Sequence, residues 1–137
     1  MILREYFKDE ELSCPCGCGA KSPEKAVEML YAVRVIMGIP IIVNSSVRCQ
    51  VYNKDAKGSV ESMHLPPGVI FNRPEHIGAF DIVAGSKGVH HVYEYKIIRV
   101  CIAIGFLGIG IRDNTFLHID NRDSYDIDYG KVWGYPK

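Results

Sequence analysis

A chain of 137 residues, 47% of them apolar, has the length of one domain and enough apolar side chains to bury a core of its own. Basic and acidic residues balance at 16 each, so nothing suggests the basic face that a nucleic-acid binder needs. The longest apolar run, 97–110, is broken by Arg99 and is too short to span a bilayer, so no membrane partner is expected either.

In chain order, residues 1–21 read as an arm. Met1-Ile2-Leu3-Arg4-Glu5-Tyr6-Phe7 lacks the apolar core and cleavage site of a signal peptide, so the expectation is a soluble protein made in the cytoplasm. A short helical turn around Asp9 to Leu12 precedes Ser13-Cys14-Pro15-Cys16-Gly17-Cys18-Gly19. The cysteines allow two readings. Cys14, Cys16, Cys18 and Cys49 supply four thiolates to a structural zinc ion, or they are reduced thiols in a tight turn, one of them pairing with Cys49. The spacing lacks the usual gap of zinc knuckles and favours the turn. Cys101, among apolar neighbours, reads as core.

Ser22-Pro23-Glu24 is a helix start, with Ser22 as N-cap and Pro23 in the first helical position. Apolar residues at Ala26, Val27, Met29, Leu30, Val33, Ile36 and Met37 give that helix a broad buried face, and Gly38 ends it. Ile41-Ile42-Val43 is a β-branched run and reads as a strand. Asn44 to Cys49 follows, then a short helix through Val51, Tyr52 and Ala56 and a turn at Gly58-Ser59. Beyond Ser62-Met63-His64, the stretch 66–76 holds three prolines and a glycine and is a loop. Its apolar tip, Val69-Ile70-Phe71, either lids a cleft or tucks into a satellite core.

Ala79-Phe80-Asp81-Ile82-Val83 alternates, so Asp81 faces away from Phe80 and Ile82. Val89 to Ile104 reads as a second long helix, with Val92, Ile97, Val100, Cys101 and Ile104 on its apolar side and His90 and His91 on the surface of its first turn. Gly108–Arg112 and 115–120 form a strand pair around the Asp113-Asn114 turn. On the second of these strands His118 and Asp120 share one face, and Leu117 and Ile119 the other. The tail from Asn121 ends on Trp133 and Tyr135, aromatics that either wall a cleft or seal the sheet edge. The expected fold is one α+β domain over 1–137, with a small, largely antiparallel sheet, helices on one face and a cleft on the other.

Two imidazoles and a carboxylate on rigid elements are the usual protein contribution to a catalytic zinc site, with a fourth position for water. The ordered pattern Ser62-x-His64, Gly78-Ala79-x-Asp81 and His118-x-Asp120 resembles the zinc D-Ala-D-Ala carboxypeptidases and phage endolysin peptidases, subfamily A of the peptidase M15 family. Their fold also includes the amino-terminal domain of hedgehog proteins. The resemblance runs from Cys14 through Trp133, departing where the 66–76 block separates His64 from Asp81. It implies one Zn2+ held by His64, Asp81 and His118, with His76 as the competing ligand. It places Arg48, in Ser45-x-x-Arg48-Cys49, where a two-pronged guanidinium meets a substrate carboxylate, and puts Ser62 on the substrate side. Thr115 and Phe116 cannot move a proton, so Asp120 is expected as general base, or as the acceptor that orients a ligand imidazole. The implied function is a monomeric zinc metallopeptidase acting on a peptide of bacterial peptidoglycan, as carboxypeptidase or endolysin. With no signal peptide or wall-binding module, it would be released or carried by a phage. The alternative is a non-catalytic zinc-binding domain of the hedgehog type.

Overall fold

Period-two alternation in the second half of the chain builds the sheet, and two helices at helical period cover it. The computed structural model describes residues 6–55, 63–66, 76–122 and 131–135. After a 3-10 turn at Asp9–Leu12 come α1 (Glu24–Met37), β1 (Ile41–Ser45), α2 (Gln50–Asp55), β2 (Ala79–Ala84), α3 (His90–Ile104), β3 (Gly108–Arg112), β4 (Phe116–Asp120) and β5 (Lys131–Gly134). The strands lie in the order β1-β2-β4-β3-β5. Every pairing is antiparallel except β3 with β5, so the expected α+β fold with a largely antiparallel sheet holds, the five strands forming a mixed sheet. The expected turn at Gly58-Ser59, Ser62, most of the 66–76 loop and part of the tail lie outside the described residues.

The core lies between one face of the sheet and the two long helices. Leu30 and Val33 of α1, Ile97 and Cys101 of α3, and Phe80, Ile82, Leu117 and Ile119 of the sheet are all fully buried. Each such aliphatic or aromatic side chain stabilises the fold by about 1.5–3 kcal/mol relative to exposure. Phe7 and Leu12 of the arm join the same cluster, and Glu11 Oε2 accepts from Val43 N–H at 3.3 Å, so the arm docks on edge strand β1. Helices α1 and α3 both stop at a left-handed glycine, Gly38 (φ 69) and Gly105 (φ 118), where a β-carbon is disfavoured. Among the described residues no helix is long and apolar enough to cross a membrane.

Four local expectations are corrected. Pro23 sits outside α1 with extended ψ (138°), so Ser22 is not the cap, and its buried hydroxyl has no partner. The reason is packing: Pro23 lies against Gly78, where an added β-carbon would stand 2.9 Å from its ring. Ile36 and Val92 are more than half exposed, at 54% and 64%, because α1 and α3 turn narrower faces to the core than their composition suggests. His90 is the largest departure. Rather than lying on the surface it is buried, and its Nδ1 accepts the Ala84 N–H at 3.0 Å, tying the start of α3 to the end of β2.

That bond requires an unprotonated Nδ1, and burial, aided by the neighbouring His91, lowers the His90 pKa. The unfolded chain therefore takes up this proton more readily than the folded one. The His90 contribution is present at neutral pH and is lost as pH falls below about 6.5. His90→Ala should lower stability at neutral pH by about 1–3 kcal/mol, the cost of an orphaned buried N–H. It should also flatten the acid-side decline seen in urea titrations at a series of pH values. Equal slopes for the two proteins would show that His90 is not the titrating group.

Candidate metal centre

Strand register sets a row of residues across the face of the sheet turned away from the helices. Asp81 of β2 is paired with both Ser45 of β1 and His118 of β4. His118 is paired with Gly110 of β3, and Gly110 with Trp133 of β5. Period-two geometry gives this row a common face, opposite the buried Phe80, Ile82, Leu117 and Ile119. His64 enters from the segment before the loop and is fixed there by Arg48 N–H donating to the His64 carbonyl at 2.7 Å.

Three side-chain atoms converge. Asp81 Oδ1 lies 3.2 Å from His64 Nε2 and 3.1 Å from His118 Nδ1. The two rings meet edge to face, with centroids 5.1 Å apart. Each imidazole is held at its far nitrogen. His64 Nδ1–H donates to the Ser46 carbonyl, and His118 Nε2–H donates to Asp120 Oδ2 at 2.8 Å. A carbonyl and an ionised carboxylate can only accept, so these bonds place a proton on each far nitrogen, and in the neutral rings they leave lone pairs on His64 Nε2 and His118 Nδ1. Both lone pairs face a carboxylate oxygen. Three acceptors around one point need a positive charge between them, and the donor set fits a divalent cation.

The surrounding charges agree. Burial pushes the Asp81 carboxyl up, but His118 and His64 outweigh it and hold the group well below the usual carboxylate range. Burial lowers the His118 pKa, yet Asp120 and Asp81 raise it overall. Asp120 is fully buried. Its Oδ1 accepts from Arg122 Nε at 2.7 Å and its Oδ2 from Arg122 Nη2 at 2.8 Å as well as from His118. Burial would raise its pKa, and the Arg122 and His118 hydrogen bonds bring it well below the carboxylate range instead. Arg48 stands on the other side of Asp81, its Nη2 3.5 Å from Oδ2 and its Nε donating to Ser45 Oγ at 3.0 Å.

Of the residues singled out in the sequence, His64, Asp81, His118, Asp120 and Arg48 meet at this place. His76 is exposed and stands outside the group, and Ser62 lies outside the described residues. Arg122 and Asn121 have no role in the sequence reading, whereas Trp133 and Tyr135 stand there only as tail aromatics that either wall a cleft or seal the sheet edge. Arg122 buttresses Asp120 and lies over the Trp133 ring at 5.2 Å. Trp133 packs against His118 with ring centroids 5.3 Å apart. Tyr135 is near enough that, after burial, the charge of Asp81 raises its phenol pKa. Asn121 accepts from Gly78 N–H at 2.7 Å and donates to the His76 carbonyl at 2.8 Å, which locks the entry of β2 to the exit of β4. A signal was available in Gly108-Ile109-Gly110-Ile111, where isoleucines face the core and glycines face the site. A β-carbon on Gly108 would collide with the Asp120 carboxylate and Arg122, and one on Gly110 would stand 2.8 Å from the Trp133 ring.

A family model described as peptidase M15 matches residues 5–120. The chain belongs to the peptidase M15 family. Membership makes it a hydrolase of peptide bonds that depends on a metal ion, and His64, Asp81 and His118 form a possible site for that ion. All the acceptor atoms of this M15 site fall within the matched residues, whereas Trp133 and Tyr135 lie beyond them. No curated protein and no solved structure matches the chain.

The glycine pattern yields a direct check. Gly108→Ala should cost about 1–3 kcal/mol, because the added methyl displaces a buried, paired carboxylate. Gly134→Ala, with nothing closer than 3.9 Å to its new methyl, should be near neutral. Denaturant midpoints of the two variants measure the difference, and equal losses would refute the cradle around Asp120.

Proposed function

We propose that this M15 protein is a zinc-dependent peptidase cleaving a peptide bond of bacterial cell-wall peptidoglycan, as a D-alanyl carboxypeptidase or an endopeptidase. In this reading His64 Nε2, Asp81 Oδ1 and His118 Nδ1 hold one Zn2+. The observation that carries it is the convergence of two tautomer-locked imidazoles on a single carboxylate oxygen. The cell-wall substrate rests on the ordered motif Ser62-x-His64, Gly78-Ala79-x-Asp81, His118-x-Asp120. When bound, zinc lowers the pKa of a coordinated water and polarises the scissile carbonyl.

The chain's own residues set up that chemistry. The Ser46 carbonyl and Asp120 aim the two imidazoles and make them better donors toward the ion. Arg48 engages Ser45 through Nε and approaches Asp81 with Nη2. A guanidinium has five N–H donors, so others remain to bind a carboxylate of the substrate peptide. Trp133 gives the cleft an apolar wall beside His118 and keeps water from the far side of that ring. Asp120, with both oxygens engaged and no exposure, acts through His118 as a positioning residue rather than as the base that takes a proton from water.

Digestion of purified peptidoglycan, with products identified by mass, tests the activity. The expected result is free D-alanine or a severed cross-bridge peptide, abolished by a chelator and by His118→Ala, whose metal content falls by one equivalent. Unchanged metal content in that variant would overturn the ligand assignment, and an undigested wall would overturn the substrate.

Asp120→Asn separates the two roles open to that residue. As a positioning residue it should weaken zinc binding about 10–100-fold while turnover at saturating zinc survives. A loss of turnover of about 10²–10⁴-fold with zinc affinity intact would instead make Asp120 the base.

A further inference from the structure

A second cluster of metal-binding atoms lies away from the row just described. The Sγ atoms of Cys14, Cys16, Cys18 and Cys49 all lie within 4.8 Å of one another. Cys14 and Cys16 are separated by 3.4 Å, and Cys16 and Cys49 by 3.5 Å. All five cysteines are free in this structure, and both separations are longer than the about 2.05 Å of a bonded pair. Four sulfurs around a tetrahedral zinc with bonds of about 2.3 Å would be about 3.8 Å apart, which falls within the observed spread.

The alternating spacing differs from that of a knuckle, and the backbone shows how it works. Cys14 N–H donates to the Ala20 carbonyl at 2.8 Å and Gly17 N–H to the Cys14 carbonyl at 3.2 Å, folding the segment into a closed loop. Gly17 (φ 80) and Gly19 (φ 91) adopt the left-handed conformation, with open space where a β-carbon would be. They are needed for their φ, and they bend the chain so that its three thiols draw together. Two backbone amides already point at sulfur: Cys49 N–H donates to Cys14 Sγ and Tyr52 N–H to Cys49 Sγ, both at 3.4 Å. Amide-to-sulfur hydrogen bonds stabilise thiolates, as outer partners do in metal sites.

We propose that Cys14, Cys16, Cys18 and Cys49 bind a structural zinc ion that pins the N-terminal arm to the segment carrying Ser46 and Arg48. Cys49 directly follows Arg48, whose amide holds the His64 carbonyl, and Ser46 accepts from the His64 ring. The ion closes a long loop between Cys18 and Cys49, which restricts the unfolded chain and couples folding to metal. It takes no part in the reaction. Its effect on the centre is to fix the segment that orients one imidazole and the guanidinium.

Cobalt substitution tests this, because sulfur ligands give a thiolate-to-cobalt charge-transfer absorption that histidine and carboxylate ligands lack. The full chain carrying His118→Ala, in which the other centre has lost a ligand, should still bind one cobalt with that absorption and tetrahedral visible bands. Adding Cys16→Ser should weaken this binding by about 10-fold or more, a loss that even an outer partner's removal can cause. If the cysteine variant does not fold, the unsubstituted protein supplies the answer through thiol titration with Ellman's reagent. With zinc, the four thiols should react slowly, then release one zinc when a mercurial displaces it. Cobalt-loaded protein without sulfur charge transfer, or thiols that react equally fast with and without zinc, would overturn the site. Failure of the His64 centre to bind metal would leave the sulfur absorption unchanged, so the two assignments fail independently.

Discussion

Asp81 is the point on which the site side of the sheet depends. Its carboxylate sits between two imidazoles whose outer nitrogens are already bound, so each ring is held with its inner nitrogen facing Asp81. The arrangement is stable only with positive charge at the centre, and two elements are arranged to keep it so. β4 brings His118 opposite Asp81 by register, and the Ser46–Arg48 segment brings in His64. Burying three acceptors together is unfavourable in a low-dielectric setting unless a cation or protons compensate. That penalty explains why the rest of the local structure serves orientation: Asn121 clamps the strand ends, Arg122 neutralises Asp120, and two glycines clear room for bulky partners.

Much of the fold could be read from periodicity. The spans of β2 and β3 follow directly from alternation and turn residues, and Gly38 and Gly105 stop the long helices where expected. The grouping of Asp81 with His118 needed only the rule that alternate residues on a strand share a face, together with the pairing of the two strands. His90 escapes such reading because the sequence shows only two adjacent histidines at a helix start. Its partner, the Ala84 amide, is a backbone group that no side-chain pattern records. The edge strand β5 is invisible for a related reason: Lys131–Gly134 has no alternating apolar pattern and owes its place to parallel pairing with β3.

The cysteine loop illustrates a different limit. Spacing rules for metal knuckles assume a typical backbone between ligands, and two left-handed glycines replace that backbone here. Residue identity carried the information, but in the glycines rather than in the cysteine intervals. Asp120 shows a related limit beside His118. Its position on the strand was legible, while its partner Arg122 stands just past the strand end, where alternation no longer says which way a side chain turns.

The residues that hold the converging donors and the aromatic packed beside them belong to different parts of the chain. His64 lies in the segment before the loop, Asp81 on β2 and His118 on β4, all within 5–120, whereas Trp133 arrives on an edge strand whose backbone pairs only with β3. An edge strand can shift in length or sequence without disturbing pairings further in, and this one shares no hydrogen-bond ladder with β2 or β4. The aromatic side chain beside His118 can therefore change while every donor atom keeps its place. In this molecule the converging donors and the aromatic beside them sit on separately paired parts of one sheet.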